Sequence, residues 1–161
     1  KKSNIHTTTA ETWLEMVLNA EKKQSYELDD EMRQYLILML QAHIQDNALC
    51  SRHIGKDYLT GLKLKAHHLL QRSGDTSLLL SGITKGKSKK QAFYNVIGKQ
   101  SYYQLANYEY KKNSNLYTLY NNLGKKFIAI TQILSLLFDC QKIKNQDGII
   151  LIEYYNYKKT G

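Results

Sequence analysis

Side chains of the kind that bind metal ions are concentrated between residues 43 and 53. His43, Asp46, Cys50 and His53 lie within this short stretch, and the Cys50-x-x-His53 spacing is that of half a zinc site. His43 also continues the apolar stripe of the preceding predicted helix, a position typical of a hydrogen-bonded core histidine. The sequence therefore predicts no metal, and His43, Cys50 and His53 are the candidate ligands of the alternative.

Catalytic chemistry has few other candidates in this sequence. Cys50 and His53 are one nucleophile–base pair, but no pattern places an Asp or Asn to orient the histidine. Asp29 and Asp30 begin a predicted helix, where capping explains them. The stretch 82–88 is similar to a phosphate-binding loop, but it follows a helix rather than a strand and is one residue short. We predict no catalytic residue and no cofactor.

The densest positive charge lies between residues 85 and 90, and tyrosines follow it. Lysines bind phosphate or carboxylate groups, and tyrosine rings can stack on unpaired bases. The other interpretation is a solvated loop followed by tyrosines whose rings pack in the core. If the region binds a partner, the residues predicted to do so are Lys85, Lys87, Lys89, Lys90, Lys99, Tyr94 and Tyr102.

The net charge of +9 favours an acidic partner, whether nucleic acid, anionic membrane or acidic protein. The positive charge comes from 20 lysines and three arginines. Proteins that bind phosphate favour arginine, because its planar fork contacts two oxygens at once. Nucleic-acid binding is therefore an alternative function, and another protein or a second copy of the chain is the preferred partner.

Helices must position these side chains, because apolar residues recur at intervals of three and four and no proline interrupts the chain. Gly74 is expected to end one of them, since glycine favours the left-handed turn after a helix. Helices are predicted at about 7–24, 29–46, 56–72, 75–81 and 91–112.

The clearest periodicity runs from Leu116 to Leu137, where seven apolar residues are spaced by four and three in turn. This spacing predicts one continuous helix whose seam packs on a neighbour or on a second copy. The segment 149–157 is rich in isoleucine and tyrosine and also fits a helical face. The predicted fold class is all-α, a compact bundle of six or seven helices forming a single domain over residues 1–161.

A longer pattern runs from Gly74 to Ala106. A leucine-rich helix, Ser81-Gly82, a basic turn and Tyr94 lead to Gly98-Lys99-x-x-Tyr102-x-x-Leu105-Ala106. Over about half of the chain, this pattern resembles a family of small uncharacterised all-helical proteobacterial proteins. The resemblance implies a bacterial protein with a helical C-terminal segment, and it implies no catalytic residues. Lys99 stands where the family has arginine, which weakens a bidentate anion contact.

Several features bear on location and on the overall function. The longest apolar run, 35–40, is far short of the roughly 20 residues that span a bilayer. Two cysteines ninety residues apart and no apolar secretory segment favour the cytoplasm. We expect a non-enzymatic protein-interaction or assembly module whose partner is another protein or a second copy. The first alternative is RNA or single-stranded DNA binding through loop 85–90, and the second is a metal-dependent enzyme.

Overall fold

A computed structural model describes residues 9–43, 49, 52–84 and 88–139. These residues form seven helices and contain no strand, so the predicted all-α fold class is confirmed. The predicted helix 149–157 lies outside the described residues, and none of the described helices is long and apolar enough to cross a membrane. The helices are α1 (Thr9–Gln24), α2 (Asp30–His43), α3 (Ile54–Leu64), α4 (His67–Ile83), α5 (Ser88–Glu109), α6 (Ser114–Lys125) and α7 (Phe127–Asp139).

The chain divides into two compact units. The first unit comprises residues 1–50 and 132–161, and the second unit comprises residues 51–131. Helices α1 and α2 therefore belong to the first unit, α3 to α6 belong to the second, and the boundary falls within α7. Each unit contains fully buried apolar side chains, such as Val17 in the first and Leu78 in the second. The single-domain organisation stays a prediction.

In the first unit, local hydrogen bonds define the turn between α1 and α2. Ser25 adopts a positive φ of 54°, and the next N–H, that of Tyr26, donates to the carbonyl of Glu21 at 3.1 Å. The Asp29 carboxylate accepts a hydrogen bond from the N–H of Met32 at 2.9 Å, as expected of an N-cap residue. The predicted start of the second helix is therefore correct to one residue.

An ion pair connects α1 to α2. The guanidinium of Arg33 donates to both carboxylate oxygens of Glu21 at 2.8 Å and to the carbonyl of Leu28 at 2.7 Å. Glu21 is only 5% exposed. The hydrogen bond to Glu21 raises the pKa of Arg33 above its usual value. The connection is bidentate and largely shielded from water, which fixes the separation of the two helices.

In the second unit, the predicted helices 56–72 and 75–81 are wrong. Helix α3 ends at Leu64 because Lys65 adopts a left-handed φ of 52°, and the N–H of Ala66 then bonds to the Gly61 carbonyl at 2.9 Å. Helix α4 continues without interruption through Ser73 and Gly74, which were expected to end a helix. All residues from 73 to 82 are buried, so α4 is the central helix of this unit.

Gly74 lies inside α4 because an aromatic ring occupies the space that a side chain would need. A Cβ on Gly74 would lie 2.9 Å from a ring carbon of Tyr102 on α5. Gly98 on α5 is covered in the same way by the ring of Phe127. Both glycines therefore permit a close approach of helices rather than a turn.

The predicted continuous helix 116–137 is two helices. Helix α6 ends at Lys125, and α7 begins at Phe127 after a single residue, Lys126, whose φ and ψ are −102° and 17°. The apolar spacing continues through the break, and Leu123 and Phe127 on either side of it are both buried. The periodicity thus identified buried positions without revealing the break.

Candidate partner-binding surface

The positive charge of the protein is concentrated in the second unit. Residues 51–131 contain 14 lysines and arginines and three acidic residues, a formal net charge of +11. The first unit contains nine basic and 11 acidic residues, a net charge of −2. The excess is exposed rather than buried, because eight lysines are on the surface among the described residues of the second unit: Lys56, Lys63, Lys65, Lys89, Lys90, Lys111, Lys112 and Lys125.

The three acidic residues of the second unit all contact groups within that unit. The Asp57 carboxylate accepts hydrogen bonds from Arg72 at 2.9 and 3.2 Å. Asp75 is buried and accepts a hydrogen bond from the Tyr102 hydroxyl at 2.8 Å. A Glu109 oxygen lies 3.7 Å from Nδ1 of His67. None of the three is therefore placed to neutralise the exposed lysines.

Helix α5 contacts the first turn of α3 and, near its own last turn, the start of α4. Near their first turns, a Cβ on Gly55 would lie 3.8 Å from the tip of the Phe93 ring. Near the last turn of α5, His67 at the start of α4 stacks on Tyr108 of α5, with ring centroids 5.1 Å apart. Helices α3 and α5 are therefore neighbours at the first turn of α3.

Helices α3 and α5 each carry exposed apolar side chains between lysines. On α3, Lys56, Leu59 and Lys63 are spaced by three and four and are all exposed, with Leu59 at 65%. On α5, Phe93 is 47% and Val96 is 60% exposed. Lys89 precedes Phe93 by one turn, and Lys99 follows Val96 by one turn. We refer to Leu59, Phe93 and Val96 together as the α3/α5 strip.

The predicted partner-binding residues differ in their exposure and fall into four groups, of which buried Tyr102 is one. Lys89 and Lys90 are exposed in the first turn of α5, at the edge of the α3/α5 strip, whereas Lys85 and Lys87 lie outside the described residues. Tyr94 and Lys99 are half-buried, and the Tyr94 ring meets the Phe93 ring edge-on at a centroid distance of 5.8 Å.

The assignment of Tyr102 to a partner surface is wrong. Its side chain is 0% exposed, its ring covers Gly74, and its hydroxyl donates to Asp75. Ser73 and Ser101, which are also buried, form a hydrogen bond nearby. This tyrosine holds α4 and α5 together and cannot stack on a ligand without leaving the core.

The candidate metal ligands are not brought together by the described part of the chain. His43 is half-buried at the last residue of α2, His53 is exposed just before α3, and Cys50 lies outside the described residues. Among residues 9–43, 49, 52–84 and 88–139, no group of three His, Cys, Asp or Glu side chains could hold a metal ion.

The first unit contains two clefts of about 380 Å³ each. One lies between α1 and α7 and is mostly apolar, with Met16, Leu136 and Leu137 in its wall and Lys22 and Lys23 at its edge. The other contains the Glu21–Arg33 pair, whose polar atoms already bond to each other. The two clefts therefore differ in character: the first is mostly apolar, and the second is lined mainly by polar side chains, Ser25, Tyr26 and Glu27 among them.

Leu59 and Val96 are exposed residues that the sequence did not predict to be on the surface. The sequence pattern that could indicate their exposure is an apolar residue with a lysine one helical turn before it and another one turn after it, as in Lys56-x-x-Leu59-x-x-x-Lys63. The same spacing also fits a buried face edged by lysines, so exposure decides between the two interpretations.

Comparison with protein-family models, curated proteins and solved structures gave no match. The resemblance to the proteobacterial helical family therefore stays a prediction. The charge distribution and the exposed surface of the chain are the features that bear on its function.

Proposed function

We propose that the protein is a non-enzymatic protein-interaction or assembly module whose second unit binds an acidic partner protein. The observation that carries the proposal is the net charge of +11 on residues 51–131, where eight lysines are exposed and all three acidic residues have partners within the unit. A field of one sign attracts an oppositely charged partner and accelerates encounter.

Both arginines of the second unit form hydrogen bonds inside the unit, and this favours a protein partner over nucleic acid. Arg52 donates to the Thr76 hydroxyl at 2.6 Å, and Arg72 donates to Asp57. Both guanidinium groups therefore have contacts inside the unit. The remaining exposed cations are lysines, which neutralise carboxylates well but lack the fork that binds phosphate in two places.

The proposal is tested by titrating the full chain with two labelled polyanions, poly-L-glutamate and a single-stranded RNA of matched charge, at about 50 and 150 mM salt. Binding of poly-L-glutamate that persists at the higher salt is expected, with RNA bound no more tightly. Absence of poly-L-glutamate binding at the lower salt would contradict the proposal, and much tighter RNA binding would favour the alternative.

Nucleic-acid binding remains the second candidate because of one observation at the turn between α5 and α6. Tyr110 is 57% exposed, the Lys111 ammonium lies 5.5 Å from its ring centre, and the Tyr117 ring centroid is 5.4 Å away. An exposed ring beside a cation can stack on an unpaired base. Tyr110→Ala should then weaken RNA binding several-fold and leave poly-L-glutamate binding unchanged.

The remaining proposals concern location and metal content. We propose a bacterial, cytoplasmic protein, on the basis of the family resemblance and the low cysteine content of the sequence. A metal-dependent enzyme is the second alternative, and it requires stoichiometric zinc or iron in the purified protein. Elemental analysis that detects neither metal would eliminate it.

A further inference from the structure

We infer that the α3/α5 strip is the docking site for an acidic amphipathic helix of a partner protein. This inference depends on the proposed function and adds to it the place of binding and the chemistry of the partner. It rests on three observations: the exposure of the apolar side chains, the position of the lysines, and the presence of aliphatic side chains at two of the three positions of the strip.

The α3/α5 strip exposes apolar surface on two adjacent helices. Leu59, Phe93 and Val96 are 65%, 47% and 60% exposed. Because Gly55 of α3 lies against the Phe93 ring of α5, the apolar face of a third helix could pack across the two helices there. Apolar residues at positions i, i+3, i+4 and i+7 of that helix would cover Leu59, Phe93 and Val96 together.

Lysines lie next to the apolar residues of the α3/α5 strip, so a partner that binds there is expected to be negatively charged. Lys56 and Lys63 are exposed one turn before and after Leu59, and Lys89 is exposed one turn before Phe93. The single acidic residue of α3, Asp57, is buried and bonded to Arg72, and the single acidic residue of α5 is at its last position, Glu109. Glutamates or aspartates flanking the apolar face of a partner helix would therefore meet unopposed positive charge.

The same lysines argue against the two other occupants. A second copy that docked through the same face would place lysines opposite lysines, which costs binding energy. Nucleic acid would need flat rings on which bases can stack, but two of the three residues of the strip are aliphatic. An acidic amphipathic helix satisfies both the apolar and the charged parts of the surface.

The test uses the full chain and a designed peptide of about four helical turns, labelled with a fluorophore, with leucines on one face and glutamates flanking them. Fluorescence anisotropy measures its affinity for the wild type and for Leu59→Glu, which places a negative charge in the strip. The matched control is Leu38→Glu on α2, because Leu38 is also 65% exposed. We expect at least tenfold weaker binding for Leu59→Glu and less than a twofold change for Leu38→Glu. Unchanged circular dichroism melting would show that both variants fold.

A second pair of variants tests the charge. Lys56→Gln with Lys89→Gln should reduce both the affinity and its salt dependence. Lys111→Gln with Lys125→Gln removes two exposed lysines of the same unit away from the strip and should do so less. Equal effects of the two double variants would mean that the charge acts diffusely, which would overturn the docking site.

The possible failures are distinguishable. If poly-L-glutamate binds but the peptide does not, or if Leu59→Glu and Leu38→Glu weaken the peptide equally, the docking site is wrong and the proposed function stands. If neither probe binds at low salt, both are wrong. If Leu59→Glu abolishes a dimer detected by sedimentation velocity, or abolishes RNA binding, the occupant is a second copy or a nucleic acid and the inference is overturned.

Discussion

The two units of this protein use charge and close packing in opposite ways. In the first unit, the Glu21–Arg33 ion pair connects α1 to α2, and acidic and basic residues nearly balance. In the second unit, α4 and α5 are joined by a ring over Gly74 and by hydrogen bonds among small polar residues, and lysines face solvent. Acidic and basic charges nearly cancel in the first unit, whereas the surface of the second unit carries an excess of positive charge.

Close packing in the interior of the second unit requires hydrogen-bond partners for buried polar side chains. Buried Ser73, Ser81 and Asp75 each have a hydrogen-bond partner, namely Ser101, Asn95 and Tyr102. Among the described residues, the Ser77 hydroxyl is the one buried side-chain polar group without a partner. Small side chains let the helices approach closely, and the stability of the unit depends on satisfying these polar groups.

The largest expected effect is at the ion pair of the first unit. Glu21→Ala leaves the shielded guanidinium of Arg33 without its bidentate partner, and we expect a loss of about 3 kcal/mol in the free energy of unfolding. Urea denaturation followed by circular dichroism measures it. Asp30→Asn removes the exposed partner of the same arginine and should cost about 0.5 kcal/mol or less. Similar losses for the two variants would show that the ion pair does not differ from a surface contact.

The next largest effect is at a glycine of the second unit. Gly98→Ala puts a methyl group into the space of the Phe127 ring, and overpacking of this kind costs about 2 kcal/mol. Gly55→Ala is the control, because its Cβ would lie at an ordinary 3.8 Å from Phe93. Thermal unfolding should show a lower Tm for Gly98→Ala and an unchanged or higher Tm for Gly55→Ala. An unchanged Tm for Gly98→Ala would mean that the helices separate at little cost.

A smaller effect is expected from one hydroxyl. Tyr102→Phe keeps the ring over Gly74 but removes the hydrogen bond to buried Asp75, at a cost of about 1.5 kcal/mol. Chemical denaturation measures the loss. Tyr117→Phe provides the control, since its ring lies on the half-exposed side of α6. If the two variants are equally stable, the Tyr102 hydroxyl contributes nothing to the core.

The smallest effect concerns alkaline pH. Burial first, and then the negative charges of Asp75 and Glu109, raise the pKa of Tyr120 above its usual 10.0. The unfolded chain therefore loses this proton before the folded chain does. The resulting stability is fully present below pH 10.0 and is lost as pH rises through the folded pKa. The difference in unfolding free energy between wild type and Tyr120→Phe should shrink over that range, and a constant difference would contradict the shift.

The sequence predicted the elements whose signals are local. The N-cap of α2 at Asp29 and the limits of α1 follow from capping and periodicity, and both agree with the structure. Gly74 was misassigned, because one residue type serves both as a helix terminator and as a point of close contact. The left-handed Lys65 that ends α3 has no side-chain signal, and the break at Lys126 occurs where the apolar spacing continues.

The candidate site was predicted in part for the same reason. Lys89 and Lys90 are exposed, as their charge favours, but they lie in the first turn of α5 and not in the predicted loop 85–90. Tyr102 was assigned to the surface because a tyrosine's ring and hydroxyl suit either environment. Leu59 and Val96 were missed because apolar side chains at helical spacing are usually buried. Which face of α3 and α5 remains uncovered depends on the packing of α4, which periodicity alone does not reveal.

The glycines of the second unit also set the distances between its helices. A Cβ on Gly61 of α3 would lie 2.9 Å from the side chain of Leu70 on α4. In the same way, the ring of Tyr102 on α5 lies against Gly74 of α4. These two close contacts set the distances of α3 and α5 from α4, which packs against both helices. A methyl group added at Gly61 would push α4 away from α3, and one added at Gly74 would push α5 away from α4. Two buried residues would in this way change where the exposed side chains of α3 and α5 lie.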